Sequence, residues 1–487
     1  MTEIELNDLL NKIQQIKSES QFLEIKAAHL GCPTKLYDTL SGFSNQDEGG
    51  IILFGVDEIN DFKEVGVYDA QDLQKHVVEQ CNQMEPAIRP LFTIFSKNGL
   101  VFVTAEIPGL DMTQRPCFYS GKGRMKGSYI RVGDADEPMT EYEVYSYEAF
   151  RKKYQDDIRV CERASIDALD STLLDEYLYK LKNGRPNLAQ LDSNRIYELM
   201  SITKNGTPTL ASIMLFGAYP QAFYPQLCIT AVAVPGTETG VVGSEGERFI
   251  DNQRIEGTLP QMLDRAVNFV LKNMKHKTIV DEKTAQRIDR WDYPPVAIRE
   301  AVLNALIHRD YSIHTEAMPI QIILYSDRLE IQNPGGLYGK LRIDQLGKVQ
   351  PDTRNPVITV AMEILEKTEN RYSGIPTIYR ELKEAGLPEP EFIDQRGHFQ
   401  VCFRKSKEAS AATAIESGET ENQTAALLEF CRTPRTRQEI ADYLKITTVS
   451  HAIKHHINPL VEKGLILLTI PDKPRSSKQK YYSADVI

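Results

Sequence analysis

The sequence predicts a multidomain protein of α/β and α+β character. Three observations predict it. The chain has 487 residues, room for about three domains of ~150 residues each. Strand-like and helix-like periods alternate twice, over residues 20–140 and again over 165–405. The small, polar, acidic run "KSKEASAATAIESGETENQT" then reads as a flexible linker before a last compact unit. The expected divisions are 1–150, a connector and central α/β segment over 151–290, a domain over 291–405 that takes in parts of 165–290, the linker 406–424, and a final unit over 425–487.

Hydrophobic content of 41% and charged content of 26% are those of an ordinary globular protein. A net charge of -11 argues against coating nucleic acid by bulk charge, but leaves room for a local basic site. Seven cysteines stand far apart with no C-x-x-C pair, which suits reduced thiols. The opening "MTEIELNDLL" has no signal pattern, and no run of about 18 apolar residues exists. A cytoplasmic protein that does not enter a membrane is expected.

In the first alternating stretch "FLEIK", "GGIILFGVDE" and "GLVFVTAEIP" read as strands, and "DAQDLQKHVVEQCNQM" as an amphipathic helix. On a Phe22–Lys26 strand, period two puts Glu24 and Lys26 on one face and Leu23 and Ile25 on the other. Glu19 precedes them, and Asp57 ends the next strand after Gly55, where the backbone approaches a neighbour closely. Carboxylates can hold a divalent metal while a lysine stabilises developing charge, a combination suited to phosphodiester hydrolysis. The same residues also read as a salt pair with a capping Asp. Glu19, Glu24, Lys26 and Asp57 are therefore candidate catalytic residues. Glu19, Glu24 and Asp57 are the candidate ligands of Mg2+ or Mn2+.

The arrangement E-x4-E-x-K, an intervening helix of about twenty residues, then "GGIILFGVD" resembles the Schlafen AlbA-type domain. Ile25 replaces that family's usual Phe, Phe43 and Asn45 stand for its F-A-N, and Glu58 replaces its second Asp. The resemblance implies either a DNA-binding module or a metal-dependent RNA endonuclease, the latter with a role in phage defence. Its three catalytic carboxylates would fall on Glu19, Glu24 and Asp57.

"RPCFYSGKGRMKGSYIR" carries Arg115, Lys122, Arg124, Lys126 and Arg131 with no acid, interleaved with Phe118, Tyr119 and Tyr129. Cations can track a phosphate backbone and aromatics can stack on bases. A flexible hairpin-like loop is expected, as a nucleic-acid contact or as a solvated turn. The following "YEAFRKKYQDDIRVCERASIDALD" reads as a connector.

"PPVAIREAVLNALIHRDYS" reads as a helix that is apolar nearly all round, and so buried. Glu300, Asn304 and His308 form its single polar stripe. Buried polar groups need partners, so the stripe faces either an internal hydrogen-bond network or a pocket that takes a ligand. "MPIQIILYSDRLEIQNPGGL" follows as two strands around a tight Ser-Asp turn, ending in a glycine loop.

Helix, hairpin and glycine loop in this order resemble the gyrase, histidine kinase and MutL (GHKL) ATPase superfamily. "REAVLNALIHRDY", "DRLEIQNPGGL", "RNPVI" and "GLPEPEF" resemble the C-terminal domain of RecG-like helicases, although no G-x4-G-K-[ST] loop is present. The resemblance implies ATP or another nucleotide as cofactor. Asn304 would hold Mg2+, Glu300 would polarise water, and Asn333 would stand where an Asp reads the adenine amino group. Gly335 and Gly336 would let backbone approach the ligand. Ser373 and Gly374 would belong to a later glycine motif, in which Tyr372 replaces the first Gly. That replacement implies weak or absent ATPase activity.

The last unit, "TPRTRQEIADYLKITTVSHAIKHHINPLVEKGLILLTIPDKPRSSKQKYY", reads as a short helix, a turn, a longer helix, a strand, a basic loop and a return strand. It resembles a winged helix-turn-helix, which implies Ser450, His451, Lys454 and His455 as base readers and Arg475 as a phosphate contact in the wing. A protein-binding winged helix is the other reading. Homodimerisation is expected, because readers of this kind commonly pair. Two functions stay open: a nucleotide-responsive transcriptional regulator-like protein that binds DNA or RNA, and a metal-dependent nuclease.

Overall fold

The computed structural model describes residues 1–243, 246–280, 287–365, 374–395, 397–405, 426–444, 446, 449–462, 464–471 and 479–484. The chain forms two compact units, Met1–Arg404 and Lys405–Ile487. The mixed α/β and α+β architecture expected from the sequence is the one observed.

The first unit opens with the helix Glu3–Ile16, which the sequence reading did not anticipate. Thr2 and Glu5 form a capping box at its start, and Leu6, Leu10 and Ile13 bury one stripe. That stripe packs on Ile25, Leu53, Val56 and Phe102. A four-stranded sheet follows in the order Leu23–Lys26, Gly50–Phe54, Leu100–Ile107, Leu91–Lys97. The first pair is parallel and the others are antiparallel. Gly55 sits at φ +109°, and a Cβ there would lie 2.9 Å from the Phe102 ring, so only glycine fits the turn out of the second strand.

The helix between the first two strands is only Tyr37–Ser44, shorter than expected. Helix Ala70–Asn82 matches its predicted amphipathic run and buries Leu73, Val77, Gln80 and Cys81. Residues 147–152, expected as connector, belong to helix Glu141–Lys152. Its capping box at Thr140 and Glu143 supplies the start signal.

The second half of this unit is built on a six-stranded sheet. Its order is Asp251–Ile255, Ile229–Ala233, Ile320–Leu324, Arg328–Pro334, His398–Arg404, Glu391–Gln395. Ile229–Ala233 and Ile320–Leu324 run parallel, and the remaining pairs are antiparallel. Ser326 and Asp327 sit in the tight turn closed by Tyr325 N–H donating to Arg328 C=O at 2.8 Å. Helices Leu259–Asn273, Pro295–His308 and Gly374–Glu384 pack together against this sheet. The largest apolar core of the molecule lies between them.

In the second unit, helix Arg437–Tyr443 starts from a Thr436–Glu439 capping box. A continuous helical stretch follows as Val449–Ala452, a π-type turn Ile453–Ile457, and Asn458–Glu462. Three short strands pair in the order Arg435–Thr436, Lys480–Ser483, Ile466–Leu468. Leu427, Cys431, Ile440, Ile457, Leu460, Ile466 and Tyr481 form the core. Among the described residues no helix is long and apolar enough to cross a membrane.

Candidate nucleotide cavity and carboxylate cluster

On strand Leu23–Lys26, alternation works as expected. Ile25 is buried in the core, while Glu24 and Lys26 share the opposite face and pair with each other. The other Glu24 oxygen meets Arg131 at 2.8 Å. Arg131 also meets Asp136 at 3.1 Å and donates to the carbonyls of Ser20 (3.3 Å) and Leu23 (3.2 Å). Its guanidinium stacks over Phe43. Glu19 accepts a 2.7 Å hydrogen bond from Ile25 N–H. Burial, and then the charge of Glu24, push the Glu19 carboxyl up to about 7.

Asp57 does not join this group. It turns back to Asn60, accepting from its side chain at 2.7 Å and from its backbone at 3.3 Å, and the side-chain bond holds its carboxyl below the ordinary range. Among the described residues no set of three or more His, Cys, Asp or Glu side chains is placed to hold a metal ion. The donors therefore do not fit a three-carboxylate metal site: Glu24 is taken by two cations and Asp57 by a local turn.

Glu19 yields a titration prediction. An unfolded carboxyl titrates near ~4.3 and the folded one near 7. The stability this group contributes is thus complete below the lower value and is lost as pH rises through the upper one. Glu19→Gln keeps an acceptor for Ile25 and removes the charge. Discounted for partial exposure, the variant should gain on the order of 1–2 kcal/mol at about pH 8 and nothing near pH 4. Urea midpoints across that range test it, and an equal gain at both ends would place the effect elsewhere.

The basic run is not a hairpin. Gly123–Gly127 is a short helical turn, closed by Ser128 Oγ donating to Arg124 C=O at 2.7 Å. Two of its five cations are internal. Arg131 is buried as described, and Arg115 is buried against Asp47 (2.8 Å) and the Leu110 carbonyl (2.8 Å). Both are corrected from candidate readers to structural ties. Lys122 and Lys126 are exposed, and Arg124 pairs with Glu148 beside Phe118. Asn45, in the motif but given no role by the sequence, is a buried clamp. Its amide donates to the carbonyls of Cys117 (2.9 Å) and Tyr129 (3.0 Å) and accepts from Cys117 N–H (2.7 Å).

The helix Pro295–His308 lines a cavity of about 410 Å³ with Glu300, Asn304 and His308. Asn333, Gly335, Gly336 and Gly374 line it too, so the structure brings these seven candidates together. Ser373 lies outside the described residues. Ile331, Ile378, Phe392, Phe399 and Val401 make the apolar wall. Gly335 sits at φ +95°, and a Cβ there would lie 2.5 Å from that of Asp310. A Cβ on Gly374 would come within 3.0 Å of the Asn304 and Glu300 side chains. Burial, and then Arg354, push His308 down to about 4, so it is neutral near pH 7.

Among the described residues, two polar atoms lining the cavity are buried and unpartnered: Asn304 Nδ2 and Asn333 Oδ1. Such atoms are costly unless a ligand or water meets them. Leu329, Ile331 and Asn333 share one strand face by period two, so Asn333 is the polar interruption of an apolar row. A nucleotide fits this lining, which offers both a donor and an acceptor beside apolar walls.

Sequence reasoning missed Asp310 and Arg354, although both stand in quoted motifs. Arg354 lies 3.4 Å from Asp310 and donates to the Gly336 carbonyl at 3.2 Å. Asn355 donates to the carbonyls of Ile307 (2.8 Å) and Arg309 (2.7 Å), fixing the end of the cavity helix. In the second unit the backbone places Ser450, His451, Lys454 and His455 on the Val449–Glu462 stretch. Their side chains and the whole of Arg475 lie outside the described residues.

Three family models match separate parts of the chain. Residues 19–140 match the family model "Schlafen, AlbA_2". Residues 317–403 match HATPase_c_4, "Putative ATP-dependent DNA helicase recG C-terminal". Residues 422–482 match "Filamentation induced by cAMP protein Fic-like, C-terminal domain". No curated protein matches the chain. Among solved structures, the DIP2311 protein from Corynebacterium diphtheriae is 15% identical, with 96% of this chain and 92% of that chain covered and a TM-score of 0.40. The N-terminal domain of a RecG-related protein from Nitrosomonas europaea is 27% identical, with 27% of this chain and 92% of that chain covered and a TM-score of 0.23. Separate segments of the chain are thus similar to the Schlafen AlbA_2 domain, to the RecG-like C-terminal HATPase_c_4 domain and to the Fic-like C-terminal domain.

Proposed function

We propose that this protein is a nucleotide-responsive, nucleic-acid-binding regulator of the transcriptional type. The Schlafen AlbA_2 and RecG-like domains suggest a nucleic-acid-binding protein, and the HATPase-type match hints at nucleotide binding. The observation that carries the nucleotide part is the unpartnered pair Asn304 Nδ2 and Asn333 Oδ1 in one cavity wall. Asn333 would accept from an amino group of the base. Asn304 and Glu300 would face the polar end of the ligand, and Gly335, Gly336 and Gly374 would let it approach the backbone.

On this reading residues 1–150 carry one nucleic-acid surface, with Lys122, Arg124 and Lys126 as its cations. Residues 425–487 serve as a winged helix. The order of helix, helical stretch and two returning strands supports that. A homodimer would present two such surfaces.

The test is binding of single-stranded DNA, duplex DNA and tRNA across a salt series, with the double variant Lys122→Ala/Lys126→Ala. Phosphate contacts predict uniform weakening across sequences and a fall of about 2 in the salt slope. An unchanged slope would remove this surface from the reading. Cleavage of any substrate by the parent chain, lost in Glu24→Ala, would replace the regulator with the nuclease.

A further inference from the structure

The cavity is lined by residues of 300–401, but one segment of its wall is braced from outside. Its segment from Gly335 to Asp352 has an inner face on the cavity, through Leu337, Tyr338 and Val349 among others. The same segment is held from outside by the first 150 residues. The Tyr338 ring meets Phe150 edge-on at 5.5 Å, and a Cβ on Gly339 would lie 2.9 Å from Phe150. Lys340 pairs with Asp111 at 2.8 Å, and Arg342 lies 3.9 Å from Asp47. At the base of the segment, Tyr142 Oη donates to Asp310 at 2.8 Å. Asp310 faces Arg354, which donates to the Gly336 carbonyl.

These contacts continue toward the carboxylate cluster. Asp47 also holds buried Arg115. The neighbouring Gln46 donates to the Gly49 carbonyl (2.6 Å) and to the Gln21 carbonyl (3.2 Å), in the turn between Glu19 and Glu24. A ligand that moves the Gly335–Asp352 wall must therefore strain or release contacts made by the AlbA-type domain. Coupling between sites requires such a physically shared element.

We infer that the AlbA-type domain braces one wall of the cavity from outside, and that Tyr142 and Phe150 make cavity ligand and nucleic acid set each other's affinity. This rests on the function proposed above. Linkage makes the effect reciprocal: each ligand changes the other's affinity by one common factor.

The experiment uses the full chain, ATP in Mg2+ buffer, and whichever of single-stranded DNA, duplex DNA or tRNA binds tightest. ATP affinity is measured with and without saturating nucleic acid, and nucleic-acid affinity with and without ATP. The two factors should agree and lie at about fivefold or more. Tyr142→Phe removes only the hydroxyl, and Phe150→Ala removes the ring under Tyr338. Both should bring the factor to within about twofold of unity while each separate affinity persists. Lys272→Ala, an exposed change on another helix, should leave the factor intact. A parent that binds both ligands independently overturns the coupling and leaves standing only the binding of each ligand, not the nucleotide response. A coupling factor that survives in both variants also overturns it. A parent that binds no nucleotide removes the proposed function and this inference together.

Discussion

Replacing Arg131 with Ala should destabilise the first unit by about 3–5 kcal/mol, the usual cost of breaking a buried ion pair. The side chain is 1% exposed. Its loss would strand one Glu24 oxygen and one Asp136 oxygen, the other keeping its 2.6 Å hydrogen bond from Thr39, and burial already pushes Asp136 upward. Two carbonyls at the entrance to strand Leu23–Lys26 would lose their donor as well. The deficit should shrink at acidic pH, where the stranded carboxyls can take protons and stop being buried charges. Arg131→Lys should recover part of it, because one ammonium cannot span Glu24, Asp136 and two carbonyls at once.

A phosphate-contacting arginine predicts the opposite pattern: unchanged stability, weaker nucleic-acid binding and a salt slope reduced by about 1. Denaturant titration beside a salt series separates the two. Lys126→Ala is the internal comparison, since an exposed surface change should stay within about 0.5 kcal/mol.

Arg131 shows where sequence legibility ends. Its charge and its basic neighbourhood could be read directly, but its burial could not. One local signal was available: on strand Tyr129–Val132, period two puts Arg131 on the face of buried Tyr129. The same alternation correctly put Ile25 inside and Glu24 beside Lys26. Asp57 failed for a different reason. Its partner Asn60 is only three residues away, and a local Asx-type turn competes with any distant role. The opening helix went unread although its signals were present: Thr2 and Glu5 box it, and Leu6, Leu10 and Ile13 repeat at helical spacing.

The cavity was read best because its polar stripe lies on one helix, where spacing dictates direction. Tyr142, Asp310 and Arg354 could not be read together. They come from three separate segments, and no periodicity links residues 168 positions apart. Only the fold brings them to one place.

Asn333→Leu is expected to strengthen the fold while destroying ligand binding, an opposition that only a functional polar group produces. Asn333 is 5% exposed, and its Oδ1 has no partner among the described residues. Leucine continues the apolar row of Leu329 and Ile331 at similar volume. The free protein should therefore gain about 1–3 kcal/mol from losing an unsatisfied buried acceptor. The bound state loses the hydrogen bond that made the acceptor useful. A loss of about 2 kcal/mol in binding weakens ATP roughly 30-fold, at 1.4 kcal/mol for each tenfold.

Neither effect alone would be informative, since core changes often alter stability and distant changes often alter affinity. Their opposite signs are what a ligand-facing Asn requires. A purely structural Asn predicts a destabilised variant with ATP affinity unchanged, because the amide would then have partners inside the fold. Denaturant titration and calorimetry on one preparation decide between them. Asn304→Ala should show the same loss of affinity, because its orphaned amide faces the same cavity from the helix side. If Asn333→Leu binds ATP as the parent does, the polar interruption has no ligand to serve, and the cavity loses its claim to a nucleotide.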